Sequence, residues 1–529
     1  LRSTRACLLD GVQRAAQVLA DLGMPIPDLA APQSEDTPYA IAPLWEVAAD
    51  GRAWLDFAND VTTIDVRLSA LEGFTSVEHM KRYTTQGMAP DQGKNSNVGA
   101  LAVLADATGR AIPETGTTTF RPPFVPVSIA AMGAGGRGQG FAPRRLLTSD
   151  AKTRSMGAPM IEAGLWYRPS YYPRGGEDNW RPACDREVET VRNVVGISEV
   201  GTLGKIDVQG PDAARFLDFV YANMMCTLKV GRARYGLMLR EDGYVMDDGT
   251  CARLSDNHFV VTTTTAAAGP VMRHMDFVQQ AFCADWRVRF TSVTEAWAQF
   301  AVAGPKAQEV LAAVCDAPDL PFMGCSELDV SGVQGRIFRI SFSGEQGFEL
   351  AVPTRYGADL FAQLLAAAER LGGCAYGMEA LNVLRVEKGF ITHAEIHGRV
   401  TADDVGFGKM VSAKKDCIGK ASSQRPGFTE AGREQLVGLV PVDPAQPLSA
   451  GAHLYNDGDP ATREMNQGYV TSVAPSPTLG HWLGLGFLKN GRARHGDVIR
   501  FVDAVRGTQV AVRVCDPVFF DPDGGRMRG

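Results

Sequence analysis

The sequence predicts an α+β protein: a small helical domain and a long linker, then a duplicated α/β domain with a C-terminal β-barrel. Three observations predict it. First, the window Lys205-Ile-Asp-Val-Gln-Gly-Pro-Asp-Ala-Ala-Arg-Phe-Leu-Asp218 recurs as Gln299-Phe-Ala-Val-Ala-Gly-Pro-Lys-Ala-Gln-Glu-Val-Leu-Ala312. Each copy reads as a strand, a glycine turn, a proline at the first helical position and an apolar-periodic helix. Such a repeat suggests two similar halves around one cavity. Second, Arg232–Gly249 reads as two strands joined at Glu241-Asp242-Gly243, because Asp-Gly between apolar runs is a hairpin signal. Third, short strands with turn signals recur near 437–440, 468–473, 482–487 and 498–502, as in a small barrel.

The bulk properties bound the function. The chain has 529 residues and a formal net charge of −7, which argues against general nucleic-acid binding. No apolar run approaches the length of a membrane span. The ten cysteines are scattered without a C-x-x-C pair. Free thiols in a reducing cytoplasm fit this better than disulfides or a zinc site.

Along the chain, residues 1–35 read as a helix and a proline-rich exit, the remnant of a preceding domain. Residues 36–125 form a small, mostly helical domain, with a helix start at Val61–Asp65. A Ser76-capped helix follows, then an Asn97-capped helix over 99–106. Between these helices, Lys81, Arg82, Thr84, Thr85 and Gln92 surround a glycine turn and suit an anion such as phosphate, or merely a solvated helix end. Residues 126–182 read as a linker. Its glycine run, Met132–Gly140, lacks the βαβ spacing of a dinucleotide fingerprint. Residues 183–430 form the duplicated domain and 431–529 the barrel.

Within the duplicated domain, successive strand residues face opposite ways, so at most one of Asp247 and Asp248 looks into a given pocket. They are either a solvated strand end or site residues. Glu349 lies in the strand-turn-strand Arg336–Val352, opposite the face of its apolar neighbours. Alternation alone makes it solvent-facing. A helix is expected near 358–371 and another from Tyr376 to Gly389. His393 and His397 lack a third metal ligand at suitable spacing, so no metal site is expected.

These signatures together carry a resemblance. Gly-Pro after a strand, Tyr235 with Gly243 and Asp247-Asp248, Gly344-Glu-x-Gly-Phe-Glu349, and Gly389 after Arg385-x-Glu387 resemble the folate-binding fold of the glycine-cleavage aminomethyltransferases. His79–Met88, Asp91–Lys94, Gly116–Phe124 and Gly231–Met238 narrow this to the α subunits of heterotetrameric sarcosine oxidases. The resemblance implies a chain that binds tetrahydrofolate. It would trap the one-carbon unit of sarcosine oxidation as 5,10-methylenetetrahydrofolate beside a flavoprotein β subunit, with γ and δ subunits. It implies that Asp248 is the catalytic carboxylate near the reactive folate nitrogen, that Tyr235 contacts folate and that Glu349 pairs with the pterin. Thr263 is a further candidate for that pocket. Lys81, Arg82, Thr84, Thr85 and Gln92 would lie near an FMN phosphate at the subunit boundary, and NAD would bind only a preceding segment.

The chain departs from the family at Leu55–Asp60, where related proteins carry iron–sulfur cysteines. It also departs at Leu381 (arginine in the aminomethyltransferases), at Phe342 (tyrosine) and at His393–Arg399. Two alternatives remain open: a folate-dependent oxidase or demethylase subunit for another N-methyl amine, and a non-catalytic scaffold that docks a flavoprotein.

Overall fold

The computed structural model describes residues 3–35, 42–122, 125, 127–134, 144–430 and 432–529. Part of the glycine run lies outside these residues. The chain divides into two compact units, Leu1–Phe141 and Ala142–Gly529.

In the first unit the opening helix, Thr4–Asp21, buries no residue. The core is built by Val61 of the short strand Val61–Thr62 and by Val66, Val77, Met80, Leu101, Val103 and Leu104 of helices Thr63–Leu71, Val77–Thr84 and Asn97–Thr108. The helix start expected at Val61–Asp65 is a capping box: Thr62 accepts from the Asp65 amide, and the Asp65 carboxylate accepts from the Thr62 amide. The cap expected at Asn97 moves one residue back to Ser96. Asn97 itself is buried and donates to the Thr118 hydroxyl at 2.7 Å, so its side chain ties two segments together rather than capping a helix.

The second unit contains two antiparallel sheets. One has the order Arg289–Ser292, Gly204–Gln209, His258–Thr263, Val245–Ser255, Arg232–Leu239. The other has the order Cys325–Val330, Val333–Phe338, Gly347–Pro353, Trp297–Ala303, Gly196–Glu199, with Cys374–Ala375 added in parallel. Helices Ala213–Val220 and Ala268–Phe282 bury their apolar faces on the first sheet. Helices Ala307–Leu311 and Gly357–Arg370 do so on the second. Asp207 on the first sheet joins the second through Arg336, at 3.2 Å.

The duplication is present in three dimensions. Gly210 and Gly304 have φ of 131° and 135°, and an added Cβ would stand 2.2 Å from Arg287 O and 2.6 Å from Val194 O. Only glycine permits both the backbone angle and the approach. Pro211 and Pro305 sit just before the N-cap residues Asp212 and Lys306, two positions earlier than the first helical position expected for them.

The tail is a closed six-stranded barrel. Strands Glu434–Pro441, Gly468–Ser476, His481–Lys489 and Val498–Asp503 match the expected ones, and His453–Tyr455 and Thr508–Cys515 complete it. Helices Trp180–Asn193 and Met378–Glu387 pack between the barrel and the hairpin, sharing a core with Leu237, Leu239, Val245, Leu485 and Phe487.

The bare connector expected over 126–182 differs from what is seen beyond residue 144. Helix Asp150–Ser155 and strands Arg145–Leu146, Met160–Ala163 and Trp166–Pro169 form there. Buried Glu199 draws this segment in by accepting from the Thr148 and Ser149 amides at 3.1 and 2.8 Å.

Candidate functional site

The hairpin that carries the two aspartates closes as a three-residue loop. The Arg240 amide donates to Tyr244 O and the Gly243 amide to Arg240 O, both at 2.9 Å. Gly243 has φ of 93°, and a Cβ there would stand 2.5 Å from Ser423 N. Its glycine therefore serves both the turn and a close backbone approach. The register then sets Leu237 opposite Asp248 and Met238 opposite Asp247.

The two carboxylates diverge, as strand alternation requires. Asp247 is 2 % exposed and accepts from the Thr264 amide at 3.1 Å and the Thr264 hydroxyl at 2.8 Å. Asp248 accepts from the Tyr235 hydroxyl at 2.7 Å through Oδ2. Its Oδ1 is buried and has no hydrogen-bond partner among the described residues. Burial pushes both carboxyls up, Asp247 to about 7 with help from neighbouring Asp248, and Asp248 to about 6. Tyr235, held well above the ordinary phenol range by burial and by Asp248, packs edge-on against Phe407 at 5.7 Å.

Thr263 is buried, and its hydroxyl donates to Thr264 O. Thr264, one residue on, contacts Asp247. The choice between adjacent threonines was not visible in a run of four, Thr262–Thr265. It depends on where strand His258–Thr263 ends.

Glu349 is not solvent-facing. Strand Gly347–Pro353 is buried on both faces, so alternation carried no information about exposure there. The carboxylate is 8 % exposed, and burial pushes it up to about 7. Gln299 Nε2 donates to its Oε2, and among the described residues this is its one hydrogen-bond donor. Lys205, on the other sheet, is the cation that acts on it electrostatically. Lys205 is 2 % exposed and donates to Gly201 O at 2.8 Å and Leu203 O at 3.0 Å. Neither Gln299 nor Lys205 was singled out from sequence. A signal was present: each is the polar first residue of one repeat copy.

Leu381 packs into the core between the helices, and Phe342 stacks on Phe390 with centroids 5.6 Å apart. His397 hydrogen-bonds to the Tyr469 hydroxyl at 2.6 Å and His393 is exposed. Glu395, two residues from each, is fully buried and accepts from Arg385, Thr392, Thr471 and Ser472.

In the first unit the five residues proposed for phosphate do not converge. Lys81 and Gln92 line a cavity of about 430 Å³ with Met88, Pro90, Arg121 and Val127. Arg82 lines a separate depression with Phe74, His79 and Tyr83. The Thr84 hydroxyl donates to Met80 O and the Thr85 hydroxyl to Thr84 O. Lys81 to Thr85 form the last turn and C-cap of a helix, the end whose carbonyls repel anions. The Lys81 ammonium donates to Thr119 O at 2.7 Å, and Gln92 clamps the backbone of Arg121 by two hydrogen bonds. Among the described residues no group of three or more metal-ligating side chains converges, and no helix is long and apolar enough to cross a membrane.

Comparison with known proteins follows the same division. Residues 150–415 match the GCVT N-terminal domain, 434–521 the glycine cleavage T-protein C-terminal barrel domain, and 50–136 the sarcosine oxidase A3 domain. The chain is 46% identical over 532 residues to sarcosine oxidase subunit alpha of Rhizobium meliloti (strain 1021), covering 99% of this chain and 54% of that protein. Its counterpart in Corynebacterium sp. (strain U-96) is 39% identical over 95% of this chain and 53% of that protein. The chain thus spans about half the length of these curated relatives. The aminomethyltransferase of Streptomyces coelicolor is 31% identical, over 70% of this chain and 96% of that protein. The crystal structure of glycine cleavage system aminomethyltransferase T from Bartonella henselae shares the fold, with a TM-score of 0.63 over 72% of this chain and 99% of that chain, at 24% identity. The chain belongs to the GCVT family, in the form homologous to sarcosine oxidase alpha subunits, where the GCVT domain and its barrel are joined to an A3 domain.

Proposed function

We propose that this chain binds tetrahydrofolate and traps the one-carbon unit released by oxidative demethylation of sarcosine, as 5,10-methylenetetrahydrofolate. The observation that carries the reading is the Asp248 carboxylate. One oxygen is taken by Tyr235, while the other is a buried acceptor without a partner among the described residues. Such an orphan is costly in a finished core and is expected where a ligand supplies the donor.

Tetrahydrofolate supplies a nucleophilic amine that must lose a proton as it captures the one-carbon unit. Asp248 stands as the acceptor or electrostatic stabiliser for that nitrogen, and a carboxyl raised to about 6 is suited to exchange a proton near neutrality. Tyr235 orients it by donating to Oδ2. Asp247 is the positioning partner, anchored on Thr264. Glu349 presents an acceptor to the side-by-side N–H and amino group of a pterin. Thr263 forms part of the surrounding wall.

The first-unit cavity is the proposed place for FMN. Its apolar wall suits a flat ring, and Lys81, Gln92 and Arg121 supply polar groups at its edge. Arg82, Thr84 and Thr85 would act at a distance from it. Sarcosine is the proposed amine because the curated relatives are sarcosine oxidase subunits, with a flavoprotein β subunit and γ and δ subunits as proposed partners. The cytoplasm is the proposed compartment, in keeping with ten free thiols.

The test is titration of the full chain with 5-formyltetrahydrofolate, followed by tryptophan fluorescence. Wild type should saturate, and Asp248→Ala and Glu349→Gln should each weaken binding about tenfold or more, the order of one lost charge-assisted hydrogen bond. Equal affinity in all three proteins would refute the site.

A further inference from the structure

Two buried donors without acceptors lie on one strand of the three-stranded sheet near the start of the second unit. Strand Trp166–Pro169 pairs with Met160–Ala163 on one side and Arg145–Leu146 on the other. Trp166 and Arg168 are two residues apart, so their side chains leave the same face about 7 Å from each other along the strand. Tyr167 takes the opposite face, where it meets Glu162 and Arg154 near the surface.

Trp166 is 6 % exposed, and its Nε1–H has no acceptor among the described residues. A buried indole ordinarily finds one. The Arg168 Nε is buried and likewise unsatisfied among the described residues. Burial lowers its guanidinium, and no carboxylate offsets that. The fully buried arginines of this unit differ: Arg192, Arg336 and Arg385 each meet a carboxylate. Arg145 pairs with Trp166 in register and so shares its face. Its guanidinium stacks on the Trp166 ring at 4.2 Å and is neutralised by Glu295 at 2.6 Å. It therefore fixes the ring plane rather than competing for an anion.

The sheet is tied to the hairpin site. A Cβ on Gly164, in the turn before Trp166, would stand 3.8 Å from the Thr265 methyl, and the preceding Thr264 anchors Asp247. At the far end of the strand the Ser170 hydroxyl donates to Glu379, on helix Met378–Glu387, at 3.1 Å.

We propose that Arg168 and the Trp166 indole form a subsite for a carboxylate. The guanidinium offers parallel N–H donors that match the two oxygens of a carboxylate, and the indole adds another. This rests on the folate reading above, which brings two sources of carboxylate to this unit. One is the glutamyl arm of tetrahydrofolate. The other is glycine, the amino acid that remains when sarcosine loses its methyl carbon.

The experiment is calorimetric titration of the full chain, as wild type, Arg168→Met, Arg168→Lys and Trp166→Phe. The probes are 5-formyltetrahydrofolate, glycine, and 6-methyltetrahydropterin, which has the pterin ring and no carboxylate. Arg168→Met should weaken a carboxylate probe about tenfold or more and Trp166→Phe the same probe about threefold, with 6-methyltetrahydropterin unchanged. Arg168→Lys should fall between wild type and Arg168→Met, because it keeps the charge and loses the fork. The probe affected names the source: 5-formyltetrahydrofolate the glutamyl arm, glycine the amine product. Without ligand, Arg168→Met should unfold at or above the wild-type temperature, since it removes a half-buried charge that lacks a counter-ion. Unchanged affinity for both carboxylate probes, equal weakening of all three, or a Tm several degrees below wild type would overturn the proposal and leave Arg168 a structural residue. If wild type binds neither 5-formyltetrahydrofolate nor 6-methyltetrahydropterin, the folate reading fails, and glycine alone then decides the subsite.

Discussion

Asp247 offers a test of whether the hairpin site stores the electrostatic strain the geometry implies. The perturbation is Asp247→Asn. In the folded chain this carboxyl is 2 % exposed and raised to about 7, by burial first and by Asp248 second. An unfolded aspartate titrates near 4. Between about pH 4 and pH 7 the folded chain therefore holds a proton that the unfolded chain has released. Stability falls as pH rises through that window, and the whole cost is present above pH 7. Three pH units at about 1.4 kcal/mol each bound the cost at about 4 kcal/mol. Asparagine removes the charge but still accepts from the Thr264 hydroxyl, and loss of the second acceptor costs about 1 kcal/mol. The variant should thus be about 1–3 kcal/mol more stable than wild type at pH 8.5 and about 1 kcal/mol less stable at pH 4.5. Scanning calorimetry at the two pH values reads this as a Tm that rises in one buffer and falls in the other. Equal destabilisation at both pH values would refute the reasoning and make Asp247 an ordinary hydrogen-bonding residue.

Two further outcomes follow from the packing. Gly243→Ala combines φ of 93° with a Cβ 2.5 Å from Ser423 N and 2.7 Å from Ser422 C. It should cost about 2–4 kcal/mol in urea unfolding, against about 1 kcal/mol for the same change at Gly458, which has φ of 82° and nothing within 4 Å. Arg192 is buried between Glu345 at 2.8 Å and Glu387 at 2.6 Å. Arg192→Met should cost about 3–5 kcal/mol, partly recovered when Glu387→Gln removes the stranded charge, and a double variant no better than the single one would contradict this.

The sequence alone determined what is decided by local chemistry. The hairpin was legible because Asp242-Gly243 meets a turn that needs positive φ. The duplication was legible because Gly210 and Gly304 both tolerate an angle and an approach that no other residue allows. Most of the barrel was legible from alternating short strands. The strands His453–Tyr455 and Thr508–Cys515 were not, the first being too brief to show a period. The roles of Asp247 and Asp248 divided as alternation requires, since adjacent strand residues cannot share a face.

Tertiary structure decided the rest. Alternation in Gly347–Pro353 said that Glu349 faces away from Phe348, but only a second covering layer made that other face buried as well. Lys81 to Thr85 form an anion-friendly composition, yet the helix ends there, so the backbone dipole opposes what the side chains offer. Lys205 and Gln299 lie almost a hundred residues apart in the chain, and Lys205 shares its strand with the polar Asp207 and Gln209. Gln299 meets the buried Glu349 carboxylate only because strands Trp297–Ala303 and Gly347–Pro353 pair in this register. Composition states which charges a chain has. Whether a charge is hydrated, paired or held in reserve for a ligand depends on the distance and burial that folding alone sets.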